Sequence, residues 1–186
     1  MTDTTASAKA VSVVFEWWRG LNPKDSVPSG RQRGASARLR RAATPLEVIQ
    51  EPDALRLIAR LPQRPERIAI LAGVLAFVRE TETQRVARAV GRTGLDEDKS
   101  ALLSENRFRR LLQVPDGDLM EPMRRLVRMT KGTLNVHDLS RSILYWNDEV
   151  KKRWIFDYYG VGAAADGGAA GSPTPDRIEE QEIDNV

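Results

Sequence analysis

The chain has 186 residues, 41% of them apolar and including four Trp and four Phe, which is enough for a core and excludes a wholly disordered protein. It has no Cys and one His, so disulfides, thiol catalysis, Cys-based zinc sites and two-histidine metal motifs are excluded. The net charge of +3 hides an asymmetry: residues 1–161 carry 28 Lys or Arg against 20 Asp or Glu, a net of +8, and residues 162–186 carry one against six, a net of −5. A basic body favours polyanionic partners, nucleic acid first, with an anionic membrane surface or an acidic protein behind it. Arg outnumbers Lys 23 to 6, which suits planar contacts to phosphate, although a GC-rich genome gives the same bias.

Residues Met1 to Ala8 are polar and no basic-then-apolar leader follows, so a secretory signal is not expected. The longest apolar run, Ile68 to Val78, is too short to span a bilayer, and cytoplasmic residence is the default expectation. Val11 to Leu21 carries Val14, Trp17, Trp18 and Leu21 at helical steps and is read as a helix, although its β-branched start fits a strand as well, and Gly20 gives a stop. Asn22 to Ser36, rich in Pro, Gly and Ser, reads as a long loop holding Arg31 and Arg33. Ala37 to Ala43 includes Arg38, Arg40 and Arg41, and Thr44-Pro45-Leu46-Glu47 then restarts a helix with a capping box and Pro at its first position. A helix over Asp53 to Leu61 follows. Pro65 opens a core helix ending near Glu80, Gln84 to Val90 is shorter and stops at Gly91, and Asp96-Glu97-Asp98 is an acidic turn.

Ser104 to Lys131 predicts two helices joined by a Pro-Asp-Gly turn, with seven positive charges. In the second, Leu119, Met123, Leu126, Val127 and Thr130 recur at three- and four-residue steps and form the inward face. The same spacing places Arg124, Arg128 and Lys131 together on the outside with Arg125 flanking them. The first repeats the design, with Phe108, Leu111 and Leu112 inward and Arg107 and Arg110 outward, Arg109 lying off that line. The two faces could form one positive surface. Basic residues late in a helix also complement its dipole and keep a surface soluble, so the charge pattern alone leaves both readings open.

Gly132 ends the second helix, Asn135 caps the next with Asp138 three residues on, and Asn147 or Asp148 caps a last helix holding Val150, Trp154 and Tyr158 at four-residue steps. The aromatics Trp154, Phe156, Tyr158 and Tyr159 read as core anchors, with stacking on bases as the alternative. From Gly162 the composition is Ala, Gly, Ser and Pro, then acid, and disorder is expected. The fold class is all-α: helical subdomains over 9–92 and 93–161, then a tail over 162–186.

No chemistry is indicated. Asp116, Asp118 and Glu121 could hold magnesium, but a turn and a helix start explain them. Gly30 and Gly34 lack the spacing of a phosphate loop, and His137 has no partner Cys or second His. Neither a metal nor a cofactor is called for. A helix-turn-helix regulator, with the Asn135–Trp146 helix in a major groove, is the alternative, although that helix offers only Arg141 to base edges.

Five segments in order resemble the small subunit of the type I-E CRISPR Cascade complex, the CasB family. They are the Trp-containing first helix, ARLRRA at Ala37–Ala42, RFRRLLQ at Arg107–Gln113, the stretch Arg124–Trp146, and KKRWIFDYYG at Lys151–Gly160. The resemblance implies an all-α, non-enzymatic protein, present in two copies beside the backbone subunits and the large subunit. It implies contact with guide RNA and with the target and displaced DNA strands, and no membrane. Carried over by position, it points to Arg41, Arg107 and Arg125 as contacts to nucleic-acid backbone, and helical geometry adds Arg40, Arg110, Arg124, Arg128 and Lys131. The Asn22–Ser36 loop and the acidic tail depart from the family pattern.

Overall fold

The computed structural model describes residues 2–24, 26–92 and 101–161, with side chains from residue 5 onward. Ten α-helices and one 3-10 turn account for its regular structure, and the described residues hold no strand beyond an isolated bridge between Glu80 and Thr133. The all-α expectation is met. The helices are α1 (Thr2–Leu21), α2 (Gly30–Arg41), α3 (Pro45–Ile49), α4 (Pro52–Ile58) and α5 (Pro65–Leu75), then α6 (Val86–Val90), α7 (Glu105–Gln113), α8 (Met120–Met129), α9 (Val136–Leu144) and α10 (Asp148–Tyr159).

Helix α5 is the axis of the bundle, because every residue from Ile68 to Leu75 is buried. A helix apolar all round must be covered on every side. Helices α2, α3, α4, α8 and α9 supply that cover, while α1 lies over α2, α4 and α9 and α10 packs on α6. One apolar cluster runs from Ala10 through Trp18, Ile70 and Leu126 to Tyr158. The expected division at 92/93 opens onto residues 93–100, outside the described residues, and helices from both sides of it share this cluster. The tail over 162–186 and the Asp96–Asp98 turn also lie outside the described residues.

Several predicted boundaries move, and α1 starts at Thr2 rather than Val11. The Asn22–Ser36 loop is shorter than expected, because Ser29 starts α2 with a full capping box in which its hydroxyl accepts from Gln32 N–H and the Gln32 side chain accepts from Ser29 N–H. Arg31 and Arg33 are thus helical. At the other end, α5 stops at Leu75 rather than near Glu80: the N–H groups of Arg79 and Glu80 leave the helix to donate to the Gly132 carbonyl, at 2.8 and 3.2 Å. Gly132 has φ +86°, and a Cβ there would stand 3.0 Å from the Phe77 carbonyl, so only glycine lets the two chain ends meet. That junction fixes the end of α8 against the end of α5.

The caps at Thr44, Asn135 and Asn147 form as expected, each side chain accepting a backbone N–H three residues on. Asp138, three residues past the Asn135 cap, accepts from Val86 N–H at 2.9 Å and pairs with Arg153 at 2.9 Å, tying α9 to α6 and α10. Trp154 and Tyr158 are core residues, the indole donating to Ser142 and the phenol to the Leu103 carbonyl, whereas Phe156 is exposed.

Asp157, in the same charged layer, sits 3.4 Å from Arg85 with one carboxylate oxygen buried and unpartnered among the described residues. Burial raises its pKa, Arg85 opposing and Asp138 adding to the rise. A raised carboxyl pKa means the folded state binds the proton more readily, so this contribution is present below the unfolded value and is lost as pH rises through the folded one. Asp157→Asn keeps an acceptor for Arg85 without the charge. Thermal unfolding should then occur at an unchanged midpoint at neutral pH, or one raised by up to about 4 °C, with no such gain in acid. A lower midpoint at neutral pH would show that the ion pair outweighs the burial.

Candidate nucleic-acid interface

Helices α7 and α8 converge on a groove of about 630 Å³. Their amphipathic patterns produce it: Phe108 and Leu111 anchor α7 in the core, Met123, Leu126 and Val127 anchor α8, and the residues between them face out. Leu103, Leu111, Val114, Pro122, Leu126 and Met129 form its apolar lining. Arg107 and Arg110 from α7 and Arg125 and Arg128 from α8 complete it. The single positive surface expected across the two helices is therefore a groove with cations from both.

The four arginines differ in their surroundings. Among the described residues, Arg107 and Arg110 have no ion-pair partner. Arg109, off the line as expected, pairs with Glu105 at 2.5 Å. Arg125 and Arg128 share Glu121, at 3.3 and 2.7 Å, and Arg128 also lies 5.4 Å from the centre of the Phe77 ring. Burial works to raise the Glu121 pKa, but hydrogen bonds and charge from Arg128 and Arg125 outweigh it and hold the carboxyl low. These pairs are exposed, and such pairs contribute only ~0–1 kcal/mol, so they can open for a competing anion.

Arg124 corrects the helical-wheel expectation. It follows Met120 by four residues and precedes Val127 by three, so it shares their inward face, and it is 4% exposed. Its Nε donates to the Gly73 carbonyl at 3.0 Å, Nη1 to Ala42 at 2.7 Å and Nη2 to Leu39 at 3.0 Å. Those carbonyls end α5 and α2, where helical C=O groups lack intrahelical partners, and its guanidinium also lies 5.2 Å from the Phe77 ring centre. Arg124 is a clasp between helices and is unavailable to a ligand.

The remaining expected residues spread out. Lys131 is exposed but lies past the end of α8 with φ 57°, so the wheel no longer places it. Arg40 is half-buried, its Nε donating to the Ala76 carbonyl at 2.5 Å, and burial first and Arg79 second lower its pKa. Arg79, which the sequence reading did not single out, thus sits close to Arg40, and its stem lies beside Gly132. Arg41 is exposed and lines a separate depression with Arg38, Glu47 and Glu51. The structure brings Arg107, Arg110, Arg125 and Arg128 together and leaves Arg41 outside their groove.

Two of the three acids weighed for a metal are engaged with arginines, and the third, Asp118, is exposed. Asp116 pairs with Arg67, and Glu121 with Arg125 and Arg128. The described residues contain no group of three possible metal ligands. No helix among them is long and apolar enough to cross a membrane.

Comparison with known proteins decides the family. The sequence profile of CRISPR-associated protein Cse2 matches residues 35–159. The chain belongs to the Cse2 family. Among solved structures, CasB from Thermus thermophilus is 21% identical, with a TM-score of 0.64, covering 81% of this chain and 98% of its own. A second Thermus thermophilus structure of the Cse2 family gives 0.63 at 21% identity with the same coverage. A chain of E. coli Cascade bound to a PAM-containing double-stranded DNA target gives 0.56 at 18% identity, covering 78% of this chain and 93% of that one. These likenesses establish the shared Cse2 fold. Among curated proteins none matches in sequence.

Proposed function

We propose that this chain is a non-catalytic subunit of a CRISPR Cascade complex and that its α7–α8 groove holds the sugar-phosphate backbone of nucleic acid. The observation that carries the reading is the convergence of Arg107, Arg110, Arg125 and Arg128 on one groove, two of them without an acidic partner among the described residues. Guanidinium groups match phosphate oxygens in a planar, two-pronged geometry. Family membership supports the assembly, and the fold likeness to a chain of DNA-bound E. coli Cascade supports the ligand.

The groove offers no pattern of base-edge donors and acceptors, so its contacts read backbone and leave sequence to the guide. Guide RNA, the target strand and the displaced strand all carry that backbone. Exchanging a DNA duplex for a guide hybrid is nearly balanced in free energy, so backbone contacts of a few kcal/mol decide how long the opened state lasts. A second copy of the chain, the backbone subunits and the large subunit are the proposed protein neighbours.

The helix-turn-helix alternative fares poorly on the geometry of α9, which exposes only His137 and Arg141 and is covered by α1 and α5. A recognition helix needs a free face. Assembly is tested by reconstitution with the backbone subunits, the large subunit and guide RNA. The wild-type chain and Arg107→Glu/Arg110→Glu should both co-elute with the complex; failure of the wild-type chain to co-elute would refute membership.

A further inference from the structure

The acidic stretch over 176–186 has a composition reciprocal to the groove. Asp176, Glu179, Glu180, Glu182 and Asp184 stand against Arg177 alone and are interleaved with Ile178, Ile183 and Val186. The groove sets four arginines around Leu111, Leu126 and Met129. The last described helix also ends beside it. Tyr158, three residues before Val161, donates to the carbonyl of Leu103 at 2.7 Å and stacks on Phe108 of α7 at 4.0 Å, and Leu103 itself lines the groove. Between lie residues 162–175, mostly Gly, Ala, Ser and Pro with Asp166 their one charge, and fourteen residues can reach up to about 45 Å.

We propose that the stretch 176–186 docks in the α7–α8 groove of its own chain and competes with nucleic acid for the same arginines. This rests on the groove being a nucleic-acid site. Carboxylates take the places of phosphates on the guanidinium groups, and Ile178 and Ile183 cover the apolar floor. Tethering gives the stretch an effective concentration on the order of millimolar, so even a local dissociation constant near 0.1 mM weakens apparent binding of a competitor about tenfold. The free subunit is thereby kept off adventitious polyanions. A strand delivered by the assembled complex, with many phosphates held in place, displaces the stretch.

The test uses the full-length chain and a labelled mixed-sequence single-stranded DNA at low salt, read by fluorescence anisotropy. Neutralising Glu179→Gln/Glu180→Gln/Glu182→Gln/Asp184→Asn should tighten binding about tenfold. Ile178→Ser/Ile183→Ser, which keeps every charge, should recover several-fold of that gain. Unchanged affinity in the neutralised variant overturns the proposal. A gain there with none in the isoleucine variant also overturns docking, leaving only diffuse repulsion. Adding Arg107→Ala/Arg110→Ala to the neutralised variant separates the two readings: if DNA affinity is then unaffected, the groove is not the nucleic-acid site and the proposal falls with it. If affinity drops while neutralisation alone changed nothing, the groove stands and docking alone fails.

Discussion

Arg124→Ala should lower the stability of the chain by about 3–5 kcal/mol, the largest effect expected from any single arginine. The guanidinium satisfies three main-chain carbonyls at 2.7–3.0 Å and is 4% exposed. Its removal leaves Gly73, Ala42 and Leu39 with unmet acceptors inside the bundle and opens a cavity beside Phe77. Burial before anything else lowers the pKa of this group, yet an arginine stays protonated, so the favourable term is a cation at the negative ends of α2 and α5. The unfolding midpoint should fall by about 10 °C. Arg124→Lys, able to reach fewer carbonyls, should fall in between, and the exposed Arg125→Ala should move the midpoint by no more than about 2 °C. A wild-type midpoint for Arg124→Ala would mean that the clasp contributes nothing.

The second large effect concerns affinity rather than folding. Binding of single-stranded DNA should weaken with salt by about 0.7 logarithmic units per decade for each phosphate contact. Arg107→Ala/Arg110→Ala should therefore flatten the salt dependence by about 1.4 and weaken low-salt binding on the order of a hundredfold. These two are the sharper choice because no acid among the described residues already occupies them, whereas Arg125 and Arg128 must first leave Glu121. Thermal stability should not change, since both side chains are exposed. Arg141→Ala, a cation on α9 outside the groove, should alter neither slope nor affinity. An unchanged slope in the α7 double variant would remove those residues from the interface.

What could be read from the sequence was what local chemistry decides. The caps at Thr44, Asn135 and Asn147, the stops at Gly91 and Gly132, and the apolar periods of α7 and α8 are written in neighbouring residues. What could not be read depends on residues far away in the chain. Composition made 22–36 look like loop, although Ser29 and Gln32 already spelled a cap. The end of α5 is set by Gly132, more than fifty residues on. A wheel that leaves Met120 off the inward face puts Arg124 outside, and its charge is no guide to its exposure. Its three carbonyl partners lie on α2 and α5, beyond the reach of any local pattern. Arg79 was missed for a related reason, its place beside Arg40 existing only after α2 packs on α5.

The proposed role of the cationic groove is to prolong the open state of a guided duplex without doing chemistry. Its most direct test is the half-life of the opened target duplex on reconstituted Cascade carrying Arg125→Glu/Arg128→Glu or Arg107→Glu/Arg110→Glu in this subunit. With assembly intact, each pair should shorten that half-life at least about tenfold, the equivalent of ~1.4 kcal/mol of lost backbone contact. A half-life equal to wild type in complexes that retain the variant subunit would contradict it.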